Sequence, residues 1–145
     1  MRFPARLPLI CAVAPLIIVG GACGSDDDGD GDSSSTELEA QLSDFEFSPD
    51  SWTAAADEDV TIALTNDSQV AHEWVILQPG VEIDSEADLP ETEEELLADF
   101  VLTETEVEAG ATEDMVFNVP AGTYQIICAI ESHFDAGMEG TLTVE

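Results

Sequence analysis

The sequence predicts an all-β domain: an antiparallel two-sheet β-sandwich with one short inserted helix. Three observations support this prediction. Apolar residues alternate with polar ones in short segments, turn-forming residues separate those segments, and only one stretch departs from the two-residue period. About seven or eight short strands without a long helix are typical of two sheets packed face to face. A chain of 145 residues has room for one such domain.

The predicted strands follow one another from residue 37 onward. The segment 72–77 has apolar residues on both faces, as expected for a strand buried inside a sandwich. Asn66 follows an earlier strand and is expected to form a turn, although Asn66 and Ser68 also match the N-glycosylation sequon. Alternation predicts strands over residues 38–47, 60–64, 72–77, 103–108, 115–119, 124–128 and 142–144.

The segment between Pro79 and Leu102 has a different pattern. Pro90 is suited to a helix start, acidic residues fill the first turn, and Leu96 and Phe100 lie near the end. We expect a short helix that lies across the sandwich as an insertion. No histidine accompanies its carboxylates, so a solvated face explains them better than a metal or acid–base site.

The first 22 residues have the features of an export signal. Arg2 and Arg6 precede an apolar run, and small residues precede the expected cleavage point after Ala22. The run is short and contains two prolines, so it does not predict a membrane span. Residues 1–22 are therefore predicted to be removed on export.

Cys23 and an acidic, flexible tether over residues 23–36 follow the leader. This arrangement resembles that of a bacterial or archaeal lipoprotein, which implies diacylglycerol on Cys23 and anchoring to the outer face of the cytoplasmic membrane. Cleavage by an ordinary signal peptidase also fits and would give a secreted or periplasmic soluble protein. The folded domain is expected over residues 37–145.

The charge of the chain is extremely one-sided. There are 33 acidic residues against two basic ones, Arg2 and Arg6, which both lie in the leader. Repulsion among the carboxylates should loosen the fold in dilute buffer, whereas salt at about 1 M shortens the Debye length to about 3 Å. A halophilic or halotolerant source is therefore expected, and an acidic docking face for a cationic partner is the alternative. Nucleic acid is excluded as a partner because phosphate binding needs Lys and Arg.

Four potential metal ligands stand out in the folded part. Cys128, His133 and Met138 lie on one short stretch near the C-terminus, and His72 is the only other histidine. One Cys, two His and a weak Met suit a mononuclear electron-transfer copper centre, because thiolate and thioether hold Cu(I) while imidazole serves both oxidation states. The residues therefore predict one copper ion, cycling between Cu(I) and Cu(II). The second nitrogen of His72 should be held by a backbone carbonyl or by water.

The same residues argue against several classes of enzyme. A thiol nucleophile usually lies at a helix N-terminus, whereas Cys128 ends a predicted strand. A zinc hydrolase has no need of Met138, and two histidines cannot supply the second metal site of a copper oxidase. The protein is thus expected not to be an enzyme.

Several motifs along the chain resemble those of the cupredoxin family, the blue copper proteins that include plastocyanin, azurin and halocyanin. The resemblance runs from about Leu38 to the C-terminus. It departs from the family at Glu73, where many relatives carry Asn, and before His133, where Pro is absent. The motifs comprise Phe45, Phe47 and Pro49, then residues 60–66, His72, residues 120–128, His133, and residues 137–144.

The resemblance implies a Greek-key sandwich and a monomeric type 1 copper protein that shuttles single electrons. Cys128 would be the thiolate ligand, His72 and His133 the equatorial imidazoles, and Met138 the axial thioether. His133 would lie nearest the surface, where redox proteins dock transiently on a rim of Ile130, Phe134 and Ala136. The alternative is a copper carrier or scavenger on the same fold, which would hold copper without cycling electrons.

Overall fold

A computed structural model describes residues 34–145, which form two β-sheets packed against each other. The predicted signal peptide, Cys23 and nearly all of the tether lie outside this range. Ser35, at the end of the predicted tether, already forms a bridge with Ala54. The described strands are β1 (Glu37–Ser43), β2 (Glu46–Ser48), β3 (Ser51–Ala54), β4 (Val60–Asn66), β5 (His72–Leu77), β6 (Val101–Val107), β7 (Thr112–Phe117), β8 (Gly122–Ile127) and β9 (Glu139–Val144).

One sheet has the strand order β2-β1-β4-β7, and the other has the order β3-β9-β8-β5-β6. The predicted β-sandwich is confirmed, but its sheets are mixed rather than purely antiparallel. β1 runs parallel to β4, with Leu38 opposite Ile62, and β3 runs parallel to β9, with Trp52 opposite Leu142. Alternation along a strand identifies its buried face and not the direction of its neighbour, so the sequence left these two pairings unresolved.

The main core lies between the sheets. It is built from the alternating inward side chains and contains an aromatic cluster in which the Trp52 and Trp74 rings are 4.3 Å apart, edge to face. β3 was not among the predicted strands, because its four residues show too little alternation. It forms because Trp52 and Ala54 are buried in this core.

A second apolar cluster covers the outer face of the five-stranded sheet. Val75 and Leu77 point into it, while Trp74 and Ile76 on the same strand point into the main core. The prediction that β5 is buried on both faces is therefore confirmed. Residues from the inserted segment, including Ile83, Leu96 and Phe100, close this cluster from outside.

The inserted segment is less helical than the sequence predicts. It contains a 3₁₀ turn (Glu86–Asp88), one α-helical turn (Glu93–Glu95) and a π-helical turn (Leu96–Phe100). The α-helical turn begins after Thr92 rather than at Pro90, because the Thr92 hydroxyl accepts a hydrogen bond from Glu95 N. Among residues 34–145, no helix is long and apolar enough to span a membrane.

Candidate metal centre

The four predicted ligands come from two neighbouring strands and one loop. His72 begins β5, Cys128 directly follows β8, and His133 and Met138 lie on the loop that leads into β9. The loop is closed by backbone hydrogen bonds from Cys128 N to Met138 O (3.1 Å) and from Met138 N to His133 O (3.1 Å). Gly137 has a φ of 111°, a backbone conformation that glycine adopts without steric cost.

The structure brings His72, Cys128 and His133 together. Their ligating atoms all lie within 4.8 Å of one another, and no other such group of His, Cys, Asp or Glu occurs in the described part of the chain. The Nδ1 atoms of the two histidines are 3.2 Å apart, and His133 Nδ1 is 3.3 Å from Cys128 Sγ. Both imidazoles therefore present the same nitrogen to one point beside the thiol.

Met138 lies on the same loop and is fully buried in the main core, which Cys128 also joins. His72 and Cys128 are fully buried as well, whereas His133 is 8% exposed. His133 is thus the most accessible of the four, as the sequence analysis expected. Among the four residues, only His133 therefore retains exposure to solvent.

The surroundings favour uncharged groups when no metal is bound. Burial raises the pKa of Cys128 to about 11 and lowers the pKa of His133. Burial also lowers the pKa of His72, and repulsion from His133 adds to this effect. At neutral pH the imidazole nitrogens are therefore free to bind a cation, while metal binding must displace the thiol proton. A thiolate and two imidazoles in this arrangement fit one copper ion, and the ligand role of Met138 stays a prediction.

Residues 12–144 match the family model of the cupredoxin-like domain. The chain belongs to the cupredoxin family. A search of curated protein sequences finds no match.

The solved structures that share the fold of this cupredoxin include three auracyanins. A dithionite-reduced auracyanin of the photosynthetic bacterium Roseiflexus castenholzii has a TM-score of 0.64 and 24% identity, over 78% of this chain and 99% of that chain. Auracyanin B has a TM-score of 0.61 and 26% identity, over 78% and 91%. Auracyanin A, a blue copper protein of Chloroflexus aurantiacus, has a TM-score of 0.57 and 24% identity, over 75% and 99%.

Glu73 braces the ligand loop of this cupredoxin at the position where many relatives carry Asn. Its backbone N–H donates to Cys128 Sγ at 3.3 Å, and its carboxylate accepts a hydrogen bond from the Ala129 backbone. The Ile130 backbone N–H also lowers the pKa of the Cys128 thiol, although burial outweighs this effect. Such bonds stabilise a thiolate and fix its direction.

His72 is held by a side chain rather than by the predicted carbonyl or water. Its Nε2 lies 2.9 Å from Ser68 Oγ, and the hydroxyl in turn donates to Asn66 Oδ1 at 2.8 Å. With Nδ1 facing the centre, Nε2–H is the donor to Ser68. This bond fixes both the tautomer and the ring orientation of the ligand.

Asn66 organises the loop that carries Ser68. It is 1% exposed, and its Nδ2 lies 2.8 Å from Val70 O, 2.9 Å from Val107 O and 3.2 Å from Glu108 O. Its Oδ1 also accepts from Ser68 N at 2.9 Å. The predicted turn former is thus a buried support of the metal centre. One feature of the sequence could have indicated this support: Asn66 and Ser68 lie shortly before His72 in the chain.

The surface around His133 differs from the predicted rim. Ala136 is exposed and Ile130 is half-buried, but Phe134 is 6% exposed and packs into the second apolar cluster. Phe134 is thus nearly as buried as His133 itself, and its place on the rim stays a prediction. Phe45, which was missed, is 40% exposed and meets the His133 ring edge to face at 5.0 Å.

Proposed function

We propose that this protein is a type 1 copper electron-transfer protein that shuttles single electrons at the outer face of the cytoplasmic membrane. The observation that carries the proposal is the convergence of His72 Nδ1, His133 Nδ1 and Cys128 Sγ within 4.8 Å. The matched auracyanin A, described as a blue copper protein, supports it. Met138 would be the weak fourth ligand.

Bound copper would supply one-electron chemistry between Cu(I) and Cu(II). The chain would keep the ligands in one arrangement for both oxidation states. Ser68 would hold the His72 ring, Glu73 N–H and Ile130 N–H would hold the Cys128 sulfur, and the bonds around Met138 would close the loop. Because these supports come from the protein and not from the metal, little rearrangement is needed when an electron enters or leaves.

Electrons would pass through the edge of His133, the least buried of the four predicted ligands. We place the docking surface for redox proteins around this ring, on Phe45, Ala136 and Ile130. A small apolar contact suits weak, brief docking. Phe45→Asp should slow electron exchange between reduced and oxidised molecules. Val116→Asp, at an exposed apolar position on β7, should leave that rate unchanged.

The decisive test is to add Cu(II) to the purified protein in high salt. One equivalent should produce an intense thiolate-to-copper charge-transfer band in the visible spectrum and the small hyperfine splitting typical of type 1 copper in spin resonance. Cys128→Ser should abolish the band, whereas Met138→Leu should keep it. A colourless copper complex of the wild-type protein would refute the proposal.

The ease with which the protein releases Cu(I) distinguishes an electron shuttle from a copper carrier. A shuttle should retain Cu(I) in the presence of a modest competing chelator, because the ligand set binds both oxidation states. A carrier should surrender it. Repeated chemical reduction and reoxidation without loss of copper is the expected result.

Membrane anchoring is proposed from residues 1–36 alone. Diacylglycerol on Cys23, with residues 23–36 as the tether, would hold a monomeric domain at the membrane surface. Mass spectrometry of the mature protein should find the lipid on Cys23, and Cys23→Ser should release the protein into the soluble fraction. An unmodified N-terminus at residue 23 in the native host would instead indicate a secreted or periplasmic soluble protein.

A further inference from the structure

The inserted segment reaches the ligand loop at Glu86. The Glu86 backbone N–H donates to Asp135 Oδ1 at 2.9 Å, two residues beyond His133. The segment is also fixed to β8, because Ile83 N donates to Gln125 Oε1 at 2.9 Å and Gln125 Nε2 donates back to Ile83 O at 3.0 Å. The position of Glu86 beside the loop is therefore held at two points.

The Glu86 carboxylate has an unusual environment. Its Oε1 atom is buried and has no hydrogen-bond partner; only one other buried side-chain atom in the described residues, Trp74 Nε1, shares this property. Residues 34–145 contain no Lys or Arg that could neutralise the charge. Burying an unpaired charge costs free energy, and such a group in a native structure calls for an explanation.

The charge of Glu86 acts on the metal centre. Burial is the main cause of the raised pKa of Cys128 and of the lowered pKa of His133, and the negative charge of Glu86 raises the pKa of each. The hydrogen bond from Glu86 N to Asp135 also places Glu86 beside the loop that carries the accessible imidazole of His133. A positive charge at the same centre would be stabilised by the negative charge of Glu86.

We propose that Glu86 tunes the reduction potential of the copper centre by stabilising the oxidised state. This inference rests on the proposed function. The oxidised centre carries one more positive charge than the reduced centre, and an unneutralised carboxylate beside it favours the more positive state. Glu86 thus lowers the reduction potential. The reduction potential of this cupredoxin therefore depends on the inserted segment as well as on the four ligands.

The test is the reduction potential of the copper-loaded Glu86→Gln protein, compared with Glu82→Gln. Both variants remove one carboxylate from the inserted segment, but Glu82 is exposed to solvent, whereas Oε1 of Glu86 is buried. Glu86→Gln should shift the equilibrium toward the reduced form by about threefold to tenfold, where tenfold is about 59 mV for one electron. Glu86→Asp keeps the negative charge, so its reduction potential should stay close to that of the wild-type protein.

Salt and spectroscopy make the test specific. The effect of Glu86→Gln should be retained better at about 1 M salt than any effect of Glu82→Gln, because Oε1 of Glu86 is buried whereas Glu82 is exposed. The visible and spin-resonance spectra should stay unchanged. The inference is overturned if a blue centre forms but Glu86→Gln shifts its potential no more than Glu82→Gln does, or if altered spectra show displaced ligands. Failure of the wild-type protein to form a blue centre would instead refute the proposed function.

Discussion

Replacing Asn66 tests whether a buried amide supports the ligand loop. Asn66→Ala removes the two hydrogen bonds that Oδ1 accepts from Ser68 and the contacts of Nδ2 with three carbonyl oxygens. Each hydrogen bond contributes about 1 kcal/mol net, and the buried Val107 carbonyl would be left without this donor. Water can reach some of the freed groups, so the expected loss is about 2–4 kcal/mol. That is a large part of the 5–15 kcal/mol of a typical domain.

The isosteric variant Asn66→Asp sharpens the prediction. Its carboxylate would still accept from Ser68, but it would face the three carbonyl oxygens with no proton to donate. The cost at neutral pH should therefore equal or exceed that of Asn66→Ala. Burial raises the folded-state pKa of an introduced carboxyl above its unfolded value of about 3.9. Stability should thus be partly recovered as the pH falls from neutral toward 4, whereas Asn66→Ala should show no such recovery.

Urea unfolding of the metal-free protein in high salt, followed by the fluorescence of Trp52 and Trp74, gives the free energies of unfolding. Asn118→Ala is the control, because Asn118 is exposed and makes a single side-chain hydrogen bond to Asp59. It should change stability by less than about 0.5 kcal/mol. A loss below about 1 kcal/mol for Asn66→Ala, or wild-type stability for Asn66→Asp at neutral pH, would refute the supporting role of Asn66.

Three further predictions concern the proposed copper ligand His72, the like charges on β5 and β6, and the total charge. Ser68→Ala should weaken copper binding about tenfold, because His72 loses the group that orients it, while Ser68→Thr should not; equal affinities in a chelator competition would contradict this. Burial and neighbouring carboxylates raise the folded-state pKa values of Glu73 and Glu104. Protonation of these two groups therefore stabilises the folded state, fully so below the ordinary Glu pKa. This stabilisation is lost as the pH rises through the raised pKa values. Glu106→Gln, opposite Glu73 on β6, should therefore raise the unfolding free energy by about 0.2–1 kcal/mol at neutral pH and low salt, more than exposed Glu91→Gln does; a destabilised variant would contradict this. Finally, the melting temperature should rise steeply between about 0.1 M and about 2 M salt as repulsion is screened, and a flat response would argue against a halophilic source.

The sequence by itself determined the strand pattern and nominated the ligands. Period-two alternation is a local property, and β4, β5, β6 and β8 were located to within about two residues, since burial of one face fixes the spacing. Cys128, His133 and Met138 could be nominated because they lie close together in the chain. His72 could be added because it is the only other histidine.

The tertiary structure alone decided what depends on pairing between distant segments. β1 pairs with β4, and β3 pairs with β9, in parallel. The alternation of apolar residues in these segments does not indicate the relative direction of the paired strands. Phe45 contacts His133, and Phe134 packs in the second apolar cluster, because of how the first hairpin and the inserted segment pack. The supports of the ligands, Ser68 with Asn66 and Glu73 with Ala129, arise from contacts that no periodicity encodes, since a hydrogen bond depends on the positions of two atoms brought together by folding.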